Sequence, residues 1–415
     1  MRKGRNVMAL KKREYPVVTV SRRAEDSIRA GHPWVYDTEL RQWDQPPEDG
    51  GIVDVVSGKG KFLGSGFYNS HSKIRLRMIS RNANDRFDEA FFERRLRYAW
   101  AYRKTVMGKD LDCCRLIFGE ADTFPGLTVD KFHDILVTQT LSLGIEQRKH
   151  LIFPLLLKIL AEDGFPVRGI YERNDVKVRE LEGLEQGKGY FPLPGVPLPP
   201  ENRVIITENG IRYAVDYENG QKTGFFLDQK YNRRAASALA KGRRVLDCFT
   251  HTGSFALNAA AAGAETVCAV DISEEAVEMA KENARLNGLE ERMTFRCENV
   301  FDLLSSMTGK EGFDYIILDP PAFTKSRASV EGAVRGYKEI NLRAMKLLPM
   351  GGYLATCSCS HFMTQPLFEE MLKSAALDAH VSLRRIEYRQ QAPDHPVLYQ
   401  VPETEYLKFY LFQVV

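Results

Sequence analysis

From Arg243 onward the chain alternates apolar runs with amphipathic stretches: RRVLDCF, TVCAVDI, MTFRCE, FDYIILD and GGYLATCSCS, closed by a hairpin pattern from VSLRRIEYR to YLKFYLFQVV. Runs that are apolar throughout, separated by helix-length segments, fit strands buried on both faces of a parallel sheet. This predicts an α/β fold of Rossmann-like type in the C-terminal part, preceded by the hairpin stretch VIITENGIRYAVDYENGQKTGFFLDQ.

A length of 415 residues exceeds what one hydrophobic core organises. Val17 to about Arg81 is rich in short β runs (VVTV, IVDVVS, FLGSGFYN, KIRLRMIS) divided by Gly, Pro and Asp, which reads as a small β-barrel. The segment FDEAFFERRLRYAWAYRKTVM then takes a helical period, with Phe91, Leu96, Trp100 and Val106 recurring, and opens a central α+β region. Pro192, Pro194, Pro197, Pro199 and Pro200 form a stiff connector. The expected units are residues 1–83, 84–203 and 204–415.

No apolar run approaches the roughly 20 residues of a membrane span, and Lys and Arg interrupt the N-terminus before a signal-peptide core forms. Seven scattered cysteines make no disulfide framework and lack the paired spacing of a zinc site, so a reduced cytoplasmic setting and no metal are expected. Net charge is only +3, but Arg2, Lys3, Arg5, Lys11, Lys12 and Arg13 form a basic arm, and Arg22, Arg23, Arg29, Lys59, Lys61, Lys73, Arg75, Arg77 and Arg81 keep the first unit positive. Such a stretch either tracks phosphates or is a solvated face; charge alone leaves both open.

The stretch VLDCFTHTGS (Val245–Ser254) passes from a buried strand into a helix expected to begin at Phe255. Gly253 lets the backbone approach a ligand at the strand's carboxyl end, where open α/β sheets bind ligands. Asp271 ends the next strand at the spacing of a carboxylate that grips ribose hydroxyls. One glycine stands where a dinucleotide fingerprint has three, which disfavours NAD and leaves an adenosine-containing cofactor. The set resembles class I methyltransferases. The resemblance implies S-adenosylmethionine as cofactor, with Asp247, Phe249, Thr250, Gly253, Ser254 and Phe255 around its methionine part. It also implies Asp271 on the ribose, Ile272 and Ser273 beside the adenine, and Asn299 at the adenine edge.

Asp319-Pro320-Pro321-Ala322-Phe323 follows the apolar strand YIILD, and so lies at the same sheet edge. Its rigid prolines fix backbone carbonyls, and Asp319 suits the amide-like edge of a base. The next strand ends in TCSCSH. Carbon-5 of a pyrimidine is a poor nucleophile, and reaction there needs a thiolate to add at carbon-6. Cys357 and Cys359 share one strand face; Cys359, nearer the carboxyl end, is expected to reach the pocket, and Cys357 remains the alternative.

Taken with GEADTFPGLTVDKF, YERNDVKVRELEGL, QKTGFFLDQKYNRR, LDPPAFTKSR, TCSCSHFM and QAPDHPV, these motifs resemble the bacterial large-subunit ribosomal RNA cytosine-5 methyltransferases. That family joins a PUA-like domain, a central α/β domain and a class I catalytic domain, and the likeness covers nearly the whole chain. It implies ribosomal RNA as partner, no membrane, Cys359 as nucleophile, and Ala322 where other RNA cytosine methyltransferases carry a cysteine. It also implies Gln229 and Lys222 at the cofactor mouth, Asp319 and Pro320 in the pocket, and Lys325 and Arg327 near the RNA. His361 departs from the smaller residue common at that place. Two other readings stay open: N-methylation of guanine or adenine by the same fold, and a non-catalytic RNA-binding or ribosome-assembly module. The base that removes the carbon-5 proton is not assigned, and a homodimer is left open.

Overall fold

In the computed structural model, residues 13–195, 197–307, 312–324 and 326–415 are described. Lys325 and most of the basic arm lie outside them.

The N-terminal β runs form β1 (Val17–Val20), β2 (Trp34–Tyr36), β3 (Leu40–Trp43), β4 (Ile52–Val56), β5 (Phe62–Tyr68) and β6 (Ile74–Ser80), in one sheet of order β2-β6-β5-β4-β1-β3. Within this segment lies a helix that the β-rich pattern did not suggest, α1 (Arg22–Ala30). Ser21 caps it by accepting the Ala24 N–H, and Gly31 at φ 114° ends it in the left-handed region. Ala24 and Ile28 of α1 pack on Val18, Val35, Val53 and Leu76.

Two cations assigned to the basic surface are spent on structure. Arg13 pairs with buried Asp54 at 2.6 Å, and Arg77 reaches Glu120 at 3.3 Å and Glu182 at 2.7 Å in the next unit. Charged groups this well covered persist because they are paired.

The middle unit contains α2 (Glu89–Met107), β7 (Cys113–Phe118), β8 (Leu127–Phe132), β9 (Ile135–Thr140), α3 (Leu143–Glu146), α4 (Lys149–Glu162), β10 (Gly169–Arg173) and β11 (Lys188–Tyr190). The strands run in the order β11-β10-β9-β8-β7. Phe91, Leu96 and Trp100 of α2 and Ile152, Leu156 and Ile159 of α4 supply the apolar stripes that cover this sheet.

After the hairpin β12 (Arg203–Glu208) and β13 (Ile211–Asp216) come α5 (Lys230–Ser237), β14 (Arg244–Cys248), α6 (Ser254–Ala261), β15 (Thr266–Asp271), α7 (Glu274–Leu286), β16 (Met293–Cys297), α8 (Val300–Ser306) and β17 (Tyr315–Leu318). The chain finishes with α9 (Val330–Leu347), β18 (Tyr353–Ser358), α10 (Gln365–Ala379), β19 (Leu383–Arg389) and β20 (Lys408–Val414). The sheet order is β16-β15-β14-β17-β18-β20-β19, with β20 antiparallel to both neighbours. One face is covered by α5, α6 and α7 through residues such as Ala256, Ala260 and Ala284, the other by α8, α9 and α10 through Leu303, Ile340 and Leu372.

The order of chain progression reverses between β14 and β17. In open α/β sheets this opens a crevice at the carboxyl ends of the strands, where ligands bind. The α/β, Rossmann-like expectation holds. No described helix is long and apolar enough to cross a membrane.

Candidate active site

At the carboxyl end of β14 the chain turns through left-handed conformations at Phe249 (φ 63°), His251 (φ 51°) and Gly253 (φ 84°). Two of these are not glycine, and such conformations persist only where the surroundings hold them. Here the Thr250 N–H donates to Val270 O at 2.9 Å, the Gly253 N–H to Thr250 O at 2.9 Å, and the His251 N–H to Asp271 Oδ2 at 2.8 Å. A side chain at Gly253 would put its Cβ 3.0 Å from that of Ala280, besides straining the backbone. The helix starts one residue earlier than expected, at Ser254.

Asp247 is fully buried. Its Oδ2 accepts from Thr250 Oγ1 at 2.6 Å and from the Ala256 N–H at 2.9 Å, while Oδ1 has no partner. Burial pushes this carboxyl up to about 7, with the charges of Asp319 and Asp271 adding to the rise. Asp271 accepts through Oδ1 from the Ser273 N–H at 3.0 Å, and Ser273 in turn caps α7. Ile272, next to it, is 68% exposed although large and apolar. Asn299 caps α8 by accepting the Phe301 N–H at 2.8 Å, which leaves its amide N–H2 unengaged by that cap.

Of the other expected cofactor residues, Phe255 lies in the core, stacked on Phe409 with centroids 6.1 Å apart, and the Thr250 hydroxyl donates to Asp247.

The cradle nevertheless fits S-adenosylmethionine. An exposed apolar side chain adjoins a ribose-type carboxylate, and buried Asp247, with one orphaned oxygen, sits at a helix N-terminus. The charges of Asp319 and Asp271 that raise Asp247 favour a ligand carrying cationic groups.

At the end of β17, Asp319 Oδ1 accepts from Gln229 Nε2 at 3.0 Å and from Cys357 Sγ at 3.3 Å. Burial pushes Asp319 up to about 6, against the lowering effect of the Cys357 and Gln229 bonds. Gln229 is therefore placed on Asp319, and its own Oε1 accepts from Asn232 Nδ2 at 2.6 Å. Cys357 is wholly buried and also donates to Leu318 O at 3.3 Å; burial holds its thiol well above the ordinary range.

Cys359 differs. It lies just past the end of β18 and is half-buried, with Sγ 4.0 Å from Pro320 O. The serines beside it fix the backbone: Ser358 Oγ donates to Tyr337 OH at 3.1 Å and Ser360 Oγ to Thr324 O at 2.8 Å. Burial and the charge of Asp319 push the thiol up to about 11, while Lys222 and Lys408 act to lower it.

Lys222 is exposed, its ammonium 5.0 Å from the Phe226 ring centroid. Arg327 is exposed in the turn before α9. Arg22 and Arg23 project from α1, the first 3.1 Å from Asp26 and the second 3.6 Å from Glu39. His361 is exposed, its Nδ1 3.4 Å from Glu405 O.

The structure adds residues that sequence reading missed. Tyr406 OH donates to Asp228 Oδ2 at 2.7 Å. Burial opposes ionisation of Asp228, but the charges of His395 and Lys222 and the Tyr406 hydroxyl hold its carboxyl below the ordinary value. Buried Lys408 donates to Ser360 O at 2.6 Å and Tyr406 O at 2.7 Å, and burial pushes it down to about 8. Only the motif neighbours of Asp228, in FFLDQ, carried a signal.

Comparison with known proteins agrees with this geometry. Residues 193–413 match the S-adenosylmethionine-dependent methyltransferase family, and residues 18–81 the PUA-like domain. Ribosomal RNA large subunit methyltransferase I of Klebsiella pneumoniae (strain 342) is 40% identical over 404 residues, covering 97% of this chain and 99% of that protein. The protein of the same name from Tolumonas auensis is 42% identical over 387 residues, covering 92% and 96%. A solved structure from Streptococcus mutans, assigned as a SAM-dependent methyltransferase, shares the fold with a TM-score of 0.78 at 22% identity, covering 96% of this chain and all of that one. The chain belongs to the S-adenosylmethionine-dependent methyltransferases, in a branch that carries an N-terminal PUA-like domain.

Proposed function

We propose that this protein methylates carbon-5 of a cytosine in large-subunit ribosomal RNA through a covalent bond from Cys359 to carbon-6. The relatives named above act, by name, on large-subunit ribosomal RNA. The observation that carries the finer reading is the half-buried Cys359 sulfur beside Pro320 O, at the sheet edge that also presents Asp319.

The chemistry follows from these residues. S-adenosylmethionine supplies an electrophilic methyl group. Asp319, with a pKa of about 6, is protonated in part near neutrality. The Cys359 thiol yields its proton to water and its sulfur bonds to carbon-6 while Asp319 gives its own proton to N3 of the flipped cytosine, which makes carbon-5 nucleophilic. Until that transfer the protonated Asp319 carries no charge to oppose the thiolate. Lys222 and Lys408 favour that thiolate.

In this reading Asp271 takes the ribose hydroxyls, Ile272 and Ser273 border the adenine, and the Asn299 amide meets its edge. Asp247 Oδ1 accepts the methionine ammonium, and Phe249, Gly253, Ser254 and Pro320 line the approach through their backbone. Gln229 acts by holding Asp319. Arg22, Arg23, Lys222 and Arg327 contact phosphates; the surface ion pairs of Arg22 and Arg23 are weak enough to exchange. Residues 1–83 hold RNA, 84–203 brace the site, and 204–415 perform the transfer.

The test is tritium transfer from methyl-labelled cofactor to ribosomal RNA from cells lacking the gene. Loss of transfer in Cys359→Ala with cofactor affinity kept supports the thiol route. Undiminished turnover with methyl on a purine nitrogen sinks it.

A further inference from the structure

We infer that His395, oriented by Asp394, is the base that accepts the proton leaving carbon-5; the inference rests on the cytosine-5 reading. Both residues belong to QAPDHPV, a stretch to which the chemistry above gives no role. His395 is 2% exposed and Asp394 wholly buried, and Nδ1 of the histidine lies 2.8 Å from Asp394 Oδ1. Burial opposes ionisation of Asp394, but the charge and hydrogen bond of His395 hold its carboxyl below the ordinary value. An ionised Asp394 can only accept, so it holds a hydrogen on Nδ1, and in the neutral ring that tautomer gives the lone pair to Nε2. Nε2 bonds to no group among the described residues.

The dyad is fixed from two sides. Asp394 Oδ2 accepts the Arg115 N–H at 2.9 Å and Asp394 O accepts from Arg103 Nη2 at 2.9 Å, both from the middle unit. The His395 N–H donates to Ala392 O at 2.9 Å, and the Ala392 N–H to Asp228 O at 2.8 Å. Asp228 precedes Gln229, whose amide holds Asp319. The His395 ring packs 5.4 Å from Phe118, which packs 6.2 Å from Tyr406, whose hydroxyl binds Asp228. His395 thus packs through Phe118 toward Tyr406 and Asp228, and Asp228 Oδ1 has no partner.

An imidazolium formed here would be paired with Asp394 at 2.8 Å and would also feel the charge of Asp228. The cations around that pair bond directly to other groups: Arg115 binds Asp130 through both Nε and Nη2, at 2.7 and 2.8 Å, Lys230 is bonded to Cys113 O, and Lys222 sits over Phe226. Other candidates suit the step less. His361 is exposed against Glu405 O, Cys357 is a buried thiol, Lys408 donates to two carbonyls, and Asp319 is occupied at N3.

The step balances. Once carbon-5 carries its methyl group, the C5–H bond breaks and the proton goes to His395 Nε2. The electron pair forms the C5–C6 double bond, the C6–S bond breaks, and its pair leaves with Cys359 as thiolate. Asp319 takes back the N3 proton, and the imidazolium yields its own to water.

The experiment compares wild-type protein with His395→Gln on two probes: large-subunit ribosomal RNA from cells lacking the gene, and the same RNA transcribed with 5-fluorocytidine. Fluorine cannot leave carbon-5 as a proton does, so the second probe should trap a protein–RNA adduct on a denaturing gel with both proteins. On the ordinary RNA, His395→Gln should turn over about 100-fold more slowly or worse and accumulate a methylated adduct; Asp394→Asn should do so more weakly. Wild-type turnover by His395→Gln overturns the inference. So does lost turnover without an adduct on ordinary RNA, and so does failure of the variant to trap the fluorinated probe, which marks a structural role. If the wild-type protein itself traps no fluorinated RNA, the cytosine-5 reading fails instead.

Discussion

Two pairs of turns leave the same edge of the seven-stranded sheet, and the pairs are held in different ways. After β14 and β15 the carboxylates of Asp247 and Asp271 are bound chiefly by backbone N–H groups of Ala256, His251 and Ser273. After β17 and β18 the contacts come from side chains brought from elsewhere: Gln229 from the stretch after the hairpin and Tyr406 from before β20, with Asp394 anchored nearby by the backbone N–H of Arg115 in the middle unit. A backbone-built cradle is specified by a short local motif. The reaction edge depends on residues far apart in the chain, so its chemistry should be sensitive to substitutions well away from Cys359.

The largest break in this comparison is Cys359→Ala. It should lower methyl transfer by about 1,000-fold or more, since covalent activation is lost, while calorimetry shows unchanged cofactor affinity. Asp271→Ala should do the converse. Loss of charge-assisted hydrogen bonds to the ribose should weaken cofactor binding by roughly 10- to 100-fold, about 1.5–3 kcal/mol, and leave trapping of RNA at saturating cofactor intact.

A smaller effect concerns pH. Asp247 and Asp319 have folded-state values of about 7 and about 6, above the ordinary carboxylate value. Between that ordinary value and 6–7 the folded state binds more protons than the unfolded chain. Their contribution to cofactor-free stability is therefore present at low pH and lost as pH rises through this window. A cationic ligand offsets the loss, so thermal melts should show a larger stabilisation by S-adenosylmethionine at pH 8 than at pH 5.5.

The smallest effect is Cys357→Ala. It should cost about 1 kcal/mol of stability by urea unfolding and change turnover by roughly threefold or less. A loss as large as that of Cys359→Ala would erase the distinction between the two thiols.

The same contrast explains what could be read from the sequence. The β14 turn, Asp271, the Asp-Pro-Pro stretch and the last hairpin were legible because periodicity and spacing along the chain encode them. Helix α1 was not, because its buried apolar stripe amounts to Ala24 and Ile28 between basic and acidic residues. Arg13 and Arg77 read as surface charge because an ion pair with a distant carboxylate leaves no local pattern. Gln229 was expected at the cofactor, and its bond to Asp319 crosses 90 residues of chain. Lys408 and the Asp394–His395 pair were hidden for the same reason: each acts through partners that only the tertiary fold brings near.

The central claim is that one sulfur directs the methyl group to a pyrimidine carbon, and the most direct measurement is mass-spectrometric mapping of large-subunit ribosomal RNA from cells with the protein, without it, and with Cys359→Ala. One 5-methylcytidine should be present only with the wild-type protein. A protein-dependent methyl group on a guanine or adenine nitrogen, or a 5-methylcytidine retained with Cys359→Ala, would contradict it.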